Sequence, residues 1–413
     1  MNYDELLEHK AIKNLAASNA GLLCNHTAWD IETGSYLFQK IPELKRIFVP
    51  EHGLFAELQD QVRLADTSIY SDFGVKADII SLYGESEQSL FVSPEHLGDL
   101  EVLFIDLQDI GSRYFTYGVT ASHLIRSVAQ YAPELLLIII DRDNPGGLQV
   151  EGSRLPESHS SFIGHRGLPH RHGFTMAELV LFFYKKAKAT FPLHIVTLPG
   201  ENIRSDISSF LPGQIDLISL PAELHQSGMP DIPPSPNIPH PNTPLVYNGQ
   251  CLLEGTNLSE GRGTTRPFET FGAPWLKPHT QIITNERFMK FPGSILRPLR
   301  FVPTFHKWKD EMCDGFQIHL TGDPYHSLMH SLFIIHSIQK NYPEFEWRKG
   351  TYEFGSEKPA IELLCGDPVL LDFLDAKLSF EKLRKYLRKT EKQWLEEMEQ
   401  YKIYDRKHIS LFR

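Results

Sequence analysis

Apolar and polar positions alternate in short blocks along the first half of the chain. Leucine-rich or β-branched runs at 20–24, 46–49, 78–82, 102–105, 135–140 and 194–197 are each bounded by polar residues, Gly or Pro. These runs have no polar face of period two, which is how a strand covered on both sides reads. Between several of them the period lengthens to that of a helix, at 120–130 and at 175–188. The second helical stretch opens with Thr175-Met-Ala-Glu178, a capping box. Strand and helix in alternation predict an α/β fold with a doubly wound, mostly parallel sheet.

The texture changes near residue 230. Seven of the fifteen residues from Pro230 to Pro244 are proline, which excludes regular structure and predicts an extended loop or linker. A Gly/Thr-rich stretch follows, with Glu254, Glu260, Arg262, Arg266 and Glu269. Beyond residue 291 mixed α/β patterning returns. The chain closes on an amphipathic helix at 380–400, with Leu383, Tyr386, Leu387, Trp394 and Met398 on one side. Two domains are expected, 1–230 and a smaller α/β domain over 231–413 that includes the Pro-rich and Gly/Thr-rich loops.

Composition narrows the function. A net charge of −11 and a pI near 5.9 leave no electrostatic footprint for nucleic acid or an anionic membrane. Cys24, Cys251, Cys313 and Cys365 lie far apart in no metal-ligand spacing, so buried free thiols are expected rather than a zinc site or disulfides. The longest apolar run, 135–140, is too short to span a bilayer. The acidic start has no basic n-region or apolar h-region, which predicts a cytoplasmic protein, or a periplasmic or secreted one if a leader has been removed.

Ligands of open parallel sheets bind beyond the carboxyl ends of the strands. The residues that follow the predicted strands are Asn25-His26-Thr27, Pro50-Glu51-His52-Gly53, Tyr83-Gly84, Asp106-Leu-Gln108-Asp109 and Asp141-Arg142-Asp143-Asn144. Five consecutive ends rich in carboxylates, Asn and His point to one catalytic crevice. No GxGxxG, GxxxxGK[ST] or GxSxG follows a strand, which disfavours a dinucleotide, a P-loop and a serine hydrolase elbow. No cofactor is expected. Tyr83, Tyr114, Phe115 and Tyr117 lie nearby, and a carboxylate-rich, aromatic site suits carbohydrate, whose glycosidic bond is cleaved by two carboxyl groups.

Glu51 is the sharpest candidate, because a His-Gly turn after a strand end presents it at the sheet edge. One of Asp106 and Asp109 is expected to pair with Arg113. Asp141 and Arg142 either pair with each other or meet ligand, and Asn144-Pro-Gly-Gly reads first as a turn. His165, His170 and His172 cluster before the capped helix. With Arg171 and the helix N-terminus they suit a substrate carboxylate, a metal ion or plain packing.

Longer motifs carry a resemblance. They are Phe48-Val-Pro-Glu-His-Gly-Leu54, Ser81-Leu-Tyr-Gly84, the run Phe104-Ile-Asp-Leu-Gln-Asp-Ile-Gly-Ser-Arg-Tyr-Phe-Thr-Tyr117, Asp141-Arg-Asp-Asn-Pro-Gly-Gly147 and Val150-Glu-Gly152. Arg171-His-Gly-Phe-Thr175, Pro233-Pro-Ser-Pro-Asn-Ile-Pro239 and the long Leu252-Leu-Glu-Gly-Thr-Asn-Leu-Ser-Glu-Gly-Arg-Gly-Thr-Thr-Arg-Pro-Phe268 complete the set. With these the chain resembles the exo-β-N-acetylmuramidase (NamZ-type) family of glycoside hydrolases, from about Gly21 onward.

The resemblance implies a Rossmann-like N-terminal catalytic domain and removal of terminal N-acetylmuramic acid from the non-reducing end of peptidoglycan fragments. It makes Glu51 the acid/base or nucleophilic carboxyl. Substrate contacts are expected from Asn25, His52, Tyr83, Gln108, Arg113, Tyr117, Asp141, Arg142, Asn144, Arg171, His172, Asn237, Glu254, Asn257, Glu260 and Arg262. Three departures stand out: Ala56 where relatives usually have Gly, Asp143 where they have Pro, and Arg126 on the helix after Tyr117 where they commonly have Glu. If that Glu is the family's second catalytic carboxyl, Asp106, Asp109 or Glu151 takes its place here. The alternatives are a non-catalytic muropeptide or amino-sugar binder, and a metal-dependent hydrolase using His165, His170 and His172.

Overall fold

The computed structural model describes residues 2–58, 68–84, 87–222, 232–277, 286–322, 324–352 and 358–411. The first half contributes β1 (Ala20–Cys24), a small hairpin of β2 (Trp29–Asp30) and β3 (Ser35–Tyr36), and then β4 (Leu44–Val49), β5 (Asp78–Ser81), β6 (Val102–Asp106), β7 (Leu136–Ile140), β8 (Leu193–Val196) and β9 (Ile215–Ile218). Outside the hairpin these strands form one seven-stranded parallel sheet in the order β5-β4-β1-β6-β7-β8-β9. The order reverses at β1, where Leu23 pairs with Phe48 on one side and Ile105 on the other. A reversal of this kind opens a crevice beyond the carboxyl ends of the strands. Here those ends lead into Asn25, Glu51 and Leu107.

All six apolar runs become strands of this sheet. β1 and β6 are buried along their whole length and β7 at four of its five residues, which accounts for runs without a polar face. β9 escaped the sequence reading. It is a four-residue edge strand in which only Ile215 and Ile218 are buried, too short to show a period. The helix expected at 120–130 starts earlier, as Thr116–Tyr131. Its N-cap position is Phe115, which offers no side-chain cap, so the true start carries no local signal. The helix Met176–Lys186 begins where the capping box placed it, with Thr175 and Glu178 exchanging bonds with each other's backbone.

The Pro-rich stretch, described from residue 232, holds no helix or strand until Thr243–Gln250, a helix with proline in its first turn. The second half builds β10 (Thr270–Ala273), β11 (Lys290–Phe291), β12 (Ser294–Phe301) and β13 (Cys313–Leu320) into an antiparallel sheet ordered β10-β13-β12-β11. The helix Ser327–Asn341 packs beside Thr243–Gln250.

The last helix, Phe380–Met398, buries Leu383, Leu387, Glu391, Trp394 and Met398 at helical spacing. Beyond it the chain returns to the first half. Trp394 Nε1 donates to His172 O at 3.0 Å, the Ile403 amide to Glu178 at 2.9 Å and the Tyr404 hydroxyl to Asp141 at 2.5 Å. One apolar core joins a face of the parallel sheet to the second half, and the N-terminal helix Tyr3–Glu8 helps cover the other face.

Candidate active site

Glu51 is the second residue after β4, the strand beside the point of reversal. His52 and Gly53 follow with φ of 75° and 88°, and two left-handed residues in succession turn the chain sharply away from the sheet. At its φ of 88° Gly53 takes a backbone conformation that L side chains rarely adopt, so this turn favours glycine. His52 Nδ1 lies 3.0 Å from Leu58 O, which ties the turn down. The Glu51 carboxyl, 8% exposed, accepts a hydrogen bond from the Thr116 hydroxyl at 2.7 Å. Thr116 is the first residue of the helix that follows β6, so the bond crosses the reversal point.

Tyr117, one residue on, faces the same carboxyl. Burial raises its phenol above the ordinary value, and the Glu51 charge adds to the effect, so the hydroxyl keeps its proton. Asn25 Oδ1 accepts from the Thr27 amide at 3.1 Å and hydroxyl at 2.7 Å, which fixes Asn25 beside Tyr117. His26 Nε2 lies 2.7 Å from Pro233 O and ties the β1 end to the Pro-rich segment.

Glu51 opens into a cleft whose far wall comes from the second half of the chain. Its aromatic residues are Tyr114, Phe115, Tyr117, Tyr247, Phe268 and Tyr352. Glu254 is the other carboxylate in the lining. It accepts from Arg262 Nη2 at 2.7 Å and from the Tyr352 hydroxyl at 2.6 Å. Burial opposes its ionised form, but Arg262 and the Tyr352 hydroxyl together outweigh that and hold the carboxyl below its ordinary range. Behind it, Glu260 lies 2.8 Å from both His306 and Lys307 and 3.3 Å from Arg262. Burial again opposes its charge, and Lys307, the His306 hydrogen bond and Arg262 keep it ionised. The cleft therefore sets Glu51, bonded by the Thr116 hydroxyl, against a Glu254 whose charged form is favoured.

The chain matches the family profile described as "Exo-beta-N-acetylmuramidase NamZ, N-terminal" over residues 20–242 and its C-terminal counterpart over 245–404. The chain belongs to the NamZ family. The peptidoglycan beta-N-acetylmuramidase NamZ of Bacillus subtilis (strain 168) is 29% identical over 400 residues, covering 95% of this chain and 88% of its own. A crystal structure of a DUF1343 family protein from Bacteroides fragilis NCTC 9343 matches with a TM-score of 0.75 at 26% identity, covering 97% of this chain and 98% of its own. A second such protein from that organism, at 23% identity and a TM-score of 0.65, shares the fold over the same proportions.

Among the expected site residues of this NamZ member, Glu51, His52, Tyr117, Asn237, Glu254 and Arg262 line the cleft, with Asn25 beside Tyr117. Others fall outside it. Asp106 is fully buried and forms a two-pronged pair with Arg142, at 2.6 and 2.9 Å, while the Tyr3 hydroxyl donates to it at 2.6 Å. Arg142 is thereby committed to Asp106, not to Asp141. Asp141 instead caps the helix Met176–Lys186, accepting from Thr175 Oγ1 and the Ala177 amide.

Asp109 accepts from the Gly111 amide at 2.6 Å, and His172 stands 3.4 Å away. Arg113 pairs with neither aspartate. It donates to the carbonyls of Ser153, Leu364 and Cys365 and lies 3.0 Å from His170. Glu151 is buried against Arg171 at 2.8 Å and accepts from Ser327 and the Leu328 amide. Burial opposes its charge, but His326 and Arg171 hold its carboxyl below the ordinary range. That makes it an ionised joint between the two halves, the reverse of a proton donor.

Gln108 bridges the carbonyls of Asp109 and Asp143, and Asn144 closes the turn at Gly146 and Gly147. Tyr83 packs on Phe162. Asn257 pins the backbone of Glu344 and Glu346. Glu260 backs Arg262 from behind. His165, His170 and His172 do not converge: His170 faces Arg113, His172 faces Asp109, and His165 packs on Phe183. Among the described residues no group of three or more His, Cys, Asp or Glu is placed to hold a metal ion, and no helix is long and apolar enough to cross a membrane.

The three departures have local accounts. Ala56 takes the left-handed backbone, φ 55°, that glycine would take freely. Asp143 pairs with Arg406 at 2.7 Å. Arg126 lies ten residues along the helix from Thr116, about 15 Å of rise, outside the cleft lining. Sequence reading missed Thr116 as a partner of Glu51, although it stood inside a quoted motif. It also missed Tyr247 and Tyr352, which no local pattern marks.

Proposed function

We propose that this protein is an exo-acting β-N-acetylmuramidase that removes N-acetylmuramic acid from the non-reducing end of peptidoglycan fragments in cell-wall turnover. The observation that carries this is Glu51 at the reversal point of the sheet, opening on a cleft shared with an ionised Glu254. Family membership supplies the substrate class.

Glu51, carrying the proton, donates it to the glycosidic oxygen as the bond to the anomeric carbon breaks. Positive charge then grows on the sugar, and Glu254 stabilises it from the opposite wall. Water supplies the hydroxyl that completes the product, and its proton goes to a carboxylate of the site. Thr116 and Tyr117 orient Glu51. His52, whose Nδ1–H donates to Leu58 O, offers Nε2 as an acceptor to a sugar hydroxyl.

The test is release of N-acetylmuramic acid from a muramic acid–glucosamine disaccharide and of the chromophore from a β-N-acetylmuraminide. Glu51→Gln should lose turnover while still binding the disaccharide. A ligand-induced thermal shift without any release by the wild type would mark a binding protein instead. Unchanged rates in Glu51→Gln would remove this carboxyl from the reaction.

A further inference from the structure

A second concavity flanks the cleft, and the helix Thr116–Tyr131 and the loop 157–166 contribute to the lining of both. One wall is the helix Thr116–Tyr131. Its first residues line the cleft, while Val119, Ser122, His123, Arg126 and Gln130, at helical spacing, line the groove. The other wall is the loop 157–166, which gives Ile163 to the cleft and His165 and Arg166 to the groove. Arg126 lies about 15 Å along the helix axis from Thr116, farther than one sugar ring extends.

The groove has an uncommitted positive charge. Its one carboxylate, Glu157, is taken by Arg166, and Lys186 reaches Glu397 at 3.2 Å. Arg126 has no carboxylate partner among the described residues. Its guanidinium lies over the Phe91 ring at 5.2 Å, which positions it without neutralising it. His123 stacks flat on Phe91, ring centroids 4.3 Å apart, and is 9% exposed. Its buried Nδ1 has no hydrogen-bond partner. Burial and the Arg126 charge push His123 down to about 4, and burial pushes His165 to about 4. Both rings are therefore neutral hydrogen-bonding groups beside a standing cation.

An exo-acting glycosidase holds the terminal sugar in its cleft and leaves the departing portion extending outward. In a peptidoglycan fragment that portion carries carboxylates, on the lactyl group of the next muramic acid or on a stem peptide. We propose that the groove binds a carboxylate of the departing portion, with Arg126 as the cation and His123 as its neutral neighbour. The inference rests on the glycosidase reading and adds a specificity device to it.

The test compares kcat/KM for a muramic acid–glucosamine–muramic acid trisaccharide with that for the same trisaccharide methyl-esterified at the lactyl group of its reducing end. Wild type should prefer the acid. Arg126→Ala should reduce that preference about tenfold, the size of one charge-assisted hydrogen bond, and Arg126→Glu should reverse it. A trisaccharide whose reducing-end lactyl group is instead amide-linked to a stem peptide, if used by wild type as well as the acid and slowed by Arg126→Glu, would identify the peptide as the source of the carboxylate. Equal use of acid and ester by wild type and both variants would overturn the proposal. If wild type cleaves no substrate, the glycosidase reading has failed, and calorimetric binding of acid against ester, wild type against Arg126→Glu, still decides whether the groove takes a carboxylate.

Discussion

The Thr116 hydroxyl reaches Glu51 Oε2 at 2.7 Å and joins the end of β4 to the first turn of the helix behind β6. Donation of this kind favours the charged carboxylate, so it tunes the group as well as aiming it. Thr116→Val should lower kcat about tenfold, the order of one hydrogen bond to a charged group, with KM nearly unchanged. The limb of the pH–rate profile that reports Glu51 should move to higher pH, and Thr116→Ser should restore both. Steady-state kinetics across pH check this. A fall in thermal stability with no movement of the limb would reduce Thr116 to a structural role.

Arg262 serves two buried carboxylates, at 2.7 Å from Glu254 and 3.3 Å from Glu260. Arg262→Met leaves Glu254 with Tyr352 but without its cation, at a cost of about 3–5 kcal/mol. Both carboxyls have folded pKa values below their ordinary ones. Their stabilisation is therefore present above the unfolded value and lost as pH falls through the folded one. In the variant that loss should begin at a higher pH. Urea unfolding at pH 7 and at pH 4 measures both effects.

His326 stands between Glu391 at 2.9 Å and Glu151 at 3.4 Å. Burial disfavours its charge, but the two carboxylates prevail and raise its pKa. A raised histidine gives stability that is complete below the unfolded value, about 6.5, and that is lost as pH rises through the folded value. His326→Gln should therefore lower Tm more at pH 6 than at pH 9, as read by calorimetry. An equal loss at both would mean that the ring works by packing alone.

Ala56 pays for its left-handed backbone, φ 55°, with the clash between Cβ and its own carbonyl. Ala56→Gly should raise stability by about 0.5–1 kcal/mol, measured as a shift of the denaturant midpoint at constant slope. No gain would mean that glycine's freedom in the unfolded chain offsets the relief.

Glu51 was legible because its placement is local: a strand end, then a His-Gly turn. Asp106 and Glu151 sat in equally suggestive strings but are buried outside the cleft lining, and that could not be read because their partners are far away in sequence. Tyr3 reaches Asp106 across 103 residues, and Ser327 reaches Glu151 across 176. No window of the sequence holds both members of such a pair. The opposite wall of the cleft was half legible. Glu254 and Arg262 came from one glycine-rich motif, whereas Tyr352, which fixes Glu254, follows no pattern. The parallel sheet read well wherever strands were buried on both faces, and failed at the half-exposed edge strand β9.

The return of the chain's last stretch to the first sheet bears on how the protein is made. A ribosome delivers the parallel sheet long before Trp394, Tyr404 and His408 emerge, yet Asp141, Glu178 and the carbonyls of His172 and Gly173 each have one partner there. The nascent first half must wait with these bonds unmade, and a nonsense codon anywhere before residue 394 leaves them so for good.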